Sequence, residues 1–391
     1  MEKDTEGRVI YFDNAATTWP KPKETIRAMV AYAEEVGGSP GRSGHRRAVM
    51  AGRIIFEARE AMAEIFGCDD PFRIVFAKNA TEAINTAILG LLEPGDHVVV
   101  SSLEHNSVMR PLRHLEKRGL RLTVVPPGPD GVVEPDRIED ALGADTRLIC
   151  LTHASNVTGQ IQPAASVGEI ARRRGVLFLL DAAQTAGAVP IDVREARVDL
   201  MAFSGHKSLF GPQGTGGLYI GEGVEERLRP LIYGGTGSRS EFEAQPDFLP
   251  DKYESGTPNT IGIAGLGAGV RFVLSEGIRR IREREEELTG RFLAGLAAIP
   301  GVRVHGPQDA SSRTAVVSFT LEGVSPSEAA MTLEEEFGIL CRPGLHCAPS
   351  AHRTIGTFPA GTVRFGFGYF NTDEEIDRGL EALRKIRRHN T

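Results

Sequence analysis

From about residue 50 to 220, short apolar runs alternate with segments of helical period, and this rhythm limits the folds open to the chain more than any other feature. Ile54, Ala58, Ala61 and Ile65 recur at helical spacing and predict an amphipathic helix stopped at Gly67. Strands are predicted at 73–76, 97–100, 120–125, 147–151, 176–180 and 200–203. Helices fit between them over 79–92, 106–118, 136–142 and 163–174. Most of the strand runs are apolar throughout rather than alternating, as expected where helices cover both faces of a sheet. The pattern predicts α/β layering around a mainly parallel sheet.

The character changes after about residue 260. Ile278, Ile281, Leu288, Phe292 and Leu296 mark one face of a long helix, and the Arg/Glu run 279–287 predicts a solvated, i,i+4-paired surface on its other faces. Ser325–Glu328 and Thr372–Glu375 read as capping boxes, with strands near 315–320, 339–342 and 362–367. At about 150 residues per domain, 391 residues suggest two domains or one large domain with an appendage. We expect a large domain over 15–262 and a smaller α+β domain over 263–391, joined by the N-terminal segment 1–14.

Composition narrows the partners. The chain is 41% hydrophobic and 25% charged, which excludes disordered and collagen-like classes. No apolar run approaches the roughly 18 residues of a membrane span, so no membrane association is expected. Residues 1–8 carry both charge signs and no apolar stretch, unlike a secretory signal, and a cytoplasmic location is expected. Forty-five basic against 52 acidic residues give a net charge of −7 without long blocks, so a nucleic-acid partner is not expected. Cys68, Cys150, Cys341 and Cys347 form no CxxC pair and are expected to be reduced thiols.

Lys207 is the first candidate for chemistry. It closes Ser204-Gly-His-Lys207, directly after an apolar strand, where desolvation would lower its pKa toward Schiff-base chemistry. Taken alone, it reads better as a snorkelling surface lysine. Asp181 ends another apolar run, and strand C-termini in open α/β sheets converge on a ligand crevice. A lysine and a strand-end carboxylate are what pyridoxal 5′-phosphate (PLP) needs as covalent and ring-nitrogen partners. Ala80 and Thr81 open a predicted helix whose free N–H groups suit a phosphate. Gly265-Leu-Gly-Ala-Gly269 is followed by Val270, so no dinucleotide fingerprint exists, and no P-loop motif is present. A metal module of Cys341, His346, Cys347 and His352 has no usual zinc spacing, and no metal is expected.

Together these segments resemble the fold-type I PLP enzymes of the class V aminotransferase superfamily, and within it the cysteine desulfurases. The similarity runs through residues 11–17, 79–82, 104–106, 155–159, 181–184, 204–207, 254–259 and 342–347. Arg342-Pro-Gly-Leu-His-Cys347 is similar to the compact cysteine segment of the group II, Suf-type desulfurases. The resemblance implies an α/β fold-type I transferase with a large PLP domain and a small C-terminal domain. It implies that L-cysteine or a related amino acid is the substrate, with sulfur carried as a persulfide on Cys347 to an acceptor protein. An aminotransferase or a selenocysteine lyase on the same fold is the alternative.

Position by position, the resemblance implies that Lys207 bonds the cofactor, Asp181 pairs with its ring nitrogen and Gln184 contacts its ring hydroxyl. His105 would stack on the ring and assist proton transfer. Ala80, Thr81, Ser204 and His206 would hold the phosphate, with Thr257 supplied by the second subunit of a homodimer. Asn156 and Arg364 would grip the substrate carboxylate, with Arg342 nearby, and Cys347 would be the nucleophile. An arginine in the apolar strand 362–366 suits bidentate carboxylate binding, and a thiol beside histidine and arginine can ionise at neutral pH. Two departures from the family pattern stand out: Leu345, where histidine is common, and the order of residues in 41–45.

Overall fold

The computed structural model describes residues 9–41 and 43–389. Residues 1–8, read above as lacking a secretory signal, and Arg42, within the departing 41–45 segment, lie outside the described residues.

A seven-stranded sheet carries the larger body. Its spatial order is Ile74–Ala77, Gly216–Ile220, Leu200–Ser204, Leu177–Asp181, Thr146–Thr152, His97–Ser101 and Arg121–Val125. Gly216–Ile220 runs antiparallel to both neighbours, and the other pairings are parallel. Register brings Thr152 opposite Asp181 and Asp181 opposite Ala202, so two parallel strands end level with one another and Leu200–Ser204 runs two residues further. The predicted helices appear as Ala80–Leu91, Asn106–Glu116, Pro135–Asp140 and Ala164–Arg174. Apolar clusters lie on both faces of the sheet, one including Phe178, Leu180 and Met201, the other Leu179, Leu200 and Ala202. Adjacent strand residues therefore point into different cores, which is why the runs are apolar throughout.

The Gly216–Ile220 strand is absent from the sequence reading. A Cβ at Gly216 would lie 2.7 Å from the Phe203 carbonyl oxygen and 2.8 Å from Asn79 Cα. Glycine is present because backbone passes close on both sides, so the strand begins where the composition suggests a loop.

The smaller body is a four-stranded antiparallel sheet in the order Arg342–Gly344, Thr362–Gly366, Val316–Leu321, Val302–His305. Helices Ile278–Ala297, Pro326–Phe337 and Asp373–His389 pack on it around Phe292, Phe319 and Phe365. Thr372 and Glu375 form a full capping box, each side chain accepting the other's N–H, whereas at Ser325 only the first half forms, its Oγ accepting from Glu328 N–H (3.2 Å). Helix Thr260–Glu276 packs instead on Lys23–Ala31 and Arg46–Ile65, and its Leu266 and Val270 belong to the large core. On packing grounds we propose a division near Gly277, whereas the sequence predicts one at 262/263. The run 279–287 also differs from its expected solvated character: Arg282 and Glu285 are buried. Arg282 donates to the Ala310 and Ser311 carbonyls and pairs with Glu286.

The N-terminal segment stitches the two bodies together. Ile10–Tyr11 pairs in parallel with Ile339–Leu340, and Phe12 lies in the small core, 4.9 Å from Phe365 between ring centroids. A few residues on, Thr18 Oγ donates to the Lys207 carbonyl (2.9 Å) and Gln184 donates to the Ala15 carbonyl (3.1 Å). Among the described residues no single helix is long and apolar enough to cross a membrane.

Candidate active site

A cavity of about 220 Å³ opens where the C-terminal ends of the parallel strands meet the small sheet. Of the residues singled out in the sequence, Ala80, Thr81, His105, Asn156, Asp181, Gln184, Ser204, His206, Lys207, Arg342 and Arg364 line it. Thr257, which the resemblance assigned to a second subunit, lies instead on a separate cavity with Leu231, Ile232 and Tyr253. Cys347 lines an adjoining groove, and Thr81, His105 and Ser107 line both spaces.

Enclosure lowers the Lys207 amine to about 8, opposed by Asp181, whose negative charge favours the ammonium. Asp181 is buried at its strand end and accepts the Ala183 N–H (3.0 Å), and burial raises its pKa. Asn79 caps helix Ala80–Leu91 by accepting from Glu82 N–H (3.0 Å), and the helix supplies no acceptor for the Ala80 and Thr81 amides. His206 stands beside them on the cavity wall with a buried Nδ1 that has no partner among the described residues.

His105 caps the next helix. Its Nδ1 accepts the Ser107 N–H (3.0 Å), so the neutral ring carries its proton on Nε2. Burial and the charges of Lys207, Arg342, Arg110 and Arg364 lower its pKa to about 4, which keeps it neutral. Glu104, the residue before His105, is fully buried. Its carboxyl accepts from Ser101 Oγ (2.5 Å) and Thr152 N–H (2.9 Å), and burial pushes it up to about 8.

Arg342 and Arg364 are direct cross-strand partners. Like charges opposed in a sheet are destabilising, and burial adds a desolvation cost for Arg364. Asp13 offsets part of it: Oδ1 accepts from Arg364 Nη2 at 2.9 Å, while Nη1 donates to the Asn156 carbonyl (3.1 Å). Nε of Arg364 is buried without a partner among the described residues, a donor suited to an incoming carboxylate. The Asn156 side chain donates to the His346 carbonyl (2.7 Å), so its amide also braces the cysteine turn.

That turn is strained. His346 and Cys347 have φ of 47° and 59°, two successive non-glycine residues in the left-handed region, at a cost of about 1–3 kcal/mol each. The bracing comes from the Asn156 amide, from Asn106 N–H donating to the Cys347 carbonyl (2.9 Å), and from His346 Nε2 against Thr362 Oγ (2.9 Å). The result exposes the Cys347 side chain, with Arg342 Nη2 donating to Sγ at 3.3 Å. His346 is buried, and burial with nearby Arg364 lowers its pKa to about 2, so it props the turn as a neutral ring. Among the described residues no group of three or more His, Cys, Asp or Glu is placed to hold a metal.

A buried carboxylate at one strand end and a lysine just past the next, with a helix N-terminus on the same cavity, fit a phosphate-bearing cofactor enzyme of the α/β class. The family model described as Aminotransferase class-V matches residues 10–378, and the chain belongs to that family. It is 39% identical over 381 residues, covering 96% of this chain and 94% of the relative, to a probable cysteine desulfurase of Methanothermobacter thermautotrophicus. It is 34% identical to the cysteine desulfurase IscS of Methanosarcina thermophila, covering 98% and 93% of the two chains. The solved apo structure of a cysteine desulfurase from Thermococcus onnurineus superposes with a TM-score of 0.91 at 33% identity, covering 97% and 95%. The Escherichia coli cysteine desulfurase CsdA gives 0.88 at 28% identity, covering 98% and 96%.

The cofactor of this family is PLP, and the residues present fit it. The buried Asp181 carboxylate would suit a cationic ring N–H, the Ala80 and Thr81 amides would suit phosphate oxygens, and a lysine amine lowered to about 8 would suit covalent attachment.

Proposed function

We propose that the chain is a cysteine desulfurase that converts L-cysteine to L-alanine and takes up the sulfur on Cys347 as a persulfide for delivery to an acceptor. The observation that carries this reading is the Cys347 turn, strained, braced and in contact with Arg342, opening beside His105. When bound, PLP withdraws electrons from the amino-acid Cα and so makes its proton acidic. Arg364, with Asp13 and Asn156 behind it, orients the substrate carboxylate. Lys207, as the free amine above about pH 8, accepts a proton on Nζ. The neutral His105 donates through Nε2–H. The Cys347 sulfur bonds the substrate sulfur as the substrate C–S bond breaks. The electron pair of that bond stays with the carbon skeleton, which leaves as alanine after protonation.

On this reading the enzyme works in the cytoplasm, where reducing conditions keep Cys347 a thiol. It is a homodimer, with Thr257 of one copy completing the phosphate site of the other. The similarity of residues 342–347 to the Suf-type segment supports a compact, short-loop desulfurase. Transamination has no use for a thiol at Cys347, and the relatives carry the desulfurase name, so the aminotransferase and selenocysteine lyase alternatives are not favoured. Cys347→Ala tests the proposal: PLP loading is expected to be unchanged by absorption, while alanine and sulfide formation from cysteine fall at least about a hundredfold. Wild-type turnover in that variant would overturn the persulfide role.

A further inference from the structure

Cys347 does not sit at the bottom of the lysine cavity but on a surface groove, and the groove has a definite charge. Its near half, about 500 Å³, holds Cys347 with Arg110 and His114 on the wall. The far half, about 350 Å³, shares Arg110 and His114 and adds Arg113, Lys117 and Arg353. The cations come from two elements, helix Asn106–Glu116 with its flanking Lys117, and helix Pro349–Thr354. The acids beside them are accounted for. Glu116 pairs with Arg113 at 2.8 Å, and Glu104 is buried beneath the groove with burial favouring its neutral form. Arg110, Lys117 and Arg353 have no carboxylate within salt-bridge distance among the described residues. Arg353 is also held in place by stacking on Phe358, 4.2 Å from the ring centroid. In a chain of net charge −7, a cationic groove that starts at one exposed thiol is a local reversal of the overall field.

We infer that this groove docks the protein that removes sulfur from Cys347, and that this acceptor presents its cysteine on an acidic segment. The inference rests on the persulfide reading above. In the transfer, the acceptor thiolate attacks the outer sulfur of the Cys347 persulfide. That S–S bond breaks, its electron pair leaves on the Cys347 sulfur, and the outer sulfur becomes the acceptor's persulfide, with no external oxidant. Opposed charge raises the encounter rate and disfavours basic thiols.

The test is disulfide exchange with holoenzyme in the absence of cysteine, which reads the groove without requiring a persulfide. Two pentapeptides, Glu-Glu-Cys-Glu-Glu and Lys-Lys-Cys-Lys-Lys, are activated as pyridyl disulfides. Attack by Cys347 breaks the peptide–pyridyl S–S bond and releases pyridinethione, whose absorbance gives the rate, with Cys347→Ser as the blank. The acidic peptide is expected to react about tenfold faster at low ionic strength, with the ratio falling toward one in high salt. In the double variant Lys117→Glu, Arg353→Glu the preference is expected to fall at least about fivefold, while neutral dipyridyl disulfide reacts at the wild-type rate. Equal peptide rates, or an unchanged preference in the double variant, would overturn the docking groove. Glutathione activated in the same way and reacting as fast as the acidic peptide would also overturn it, in favour of a small anionic thiol. Alanine formation from cysteine is measured separately, so a failure of the desulfurase reading is distinguishable from a failure of the groove.

Discussion

At the residue scale, the site shows which side chains can be read as chemistry and which only as support. Lys207, Asp181 and the helix start at Ala80 and Thr81 were legible because each breaks a local rule: a cation after an apolar strand, an acid ending one, a run of free amides. Asp13 was not, because nothing near it in sequence marks its partner, which is 351 residues away. Its effect is nevertheless specific. Hydrogen bonds to a charged group contribute about 1.5–3 kcal/mol, and Asp13 supplies one to the arginine expected to meet the substrate carboxylate. Asp13→Asn keeps the shape and removes the charge. We expect KM for cysteine to rise about tenfold or more with kcat changed by less than about threefold, measured as alanine production. A fall in kcat at constant KM would assign Asp13 another role.

At the element scale, the covered parallel strands were legible from their unbroken apolar character, and the helices between them from their period and caps. Others were not, two strands among them. Gly216–Ile220 hides behind glycines required by close backbone, and the edge strand Val302–His305 alternates too weakly to stand out. Helix Ile278–Ala297 was found, but its charged run misled, because Glu285 and Arg282 lie among the residues that face the protein. Burial lifts the Glu285 carboxyl from an ordinary 4.5 to about 8, partly offset by Arg282. The folded state thus holds a proton that the unfolded chain releases above about pH 4.5, and stability falls as pH rises from there to about 8. Glu285→Gln removes that loss. The variant is expected to match wild type near pH 4.5 and to exceed it by about 4 kcal/mol at pH 8, read from urea midpoints. A constant difference across this range would show that Glu285 is not the titrating group.

At the scale of the whole molecule, the two bodies are legible from the change of pattern near residue 260, but their junction is not. The proposed site draws Lys207 and Asp181 from the large body and Arg342, Arg364 and Cys347 from the small one, so their relative placement sets its geometry. The segment 10–18 provides that placement: Phe12 is fixed in the small core, Asp13 meets Arg364, and Thr18 bonds the Lys207 carbonyl. Phe12 is fully buried, with ring centroids 4.9 and 5.1 Å from Phe365 and Phe367. Truncating such a residue costs about 3–5 kcal/mol, so Phe12→Ala is expected to lower the denaturation midpoint strongly. Leu296→Ala empties the same core on helix Ile278–Ala297, away from the junction, and loses about 2–5 kcal/mol. If the segment merely fills space, the two variants will differ only in stability. If it aligns the bodies, Phe12→Ala alone will raise KM for cysteine, by about fivefold or more at a temperature where both variants remain folded by circular dichroism. Equal KM values in the two variants would show that the small domain positions Arg364 without help from the N-terminal segment.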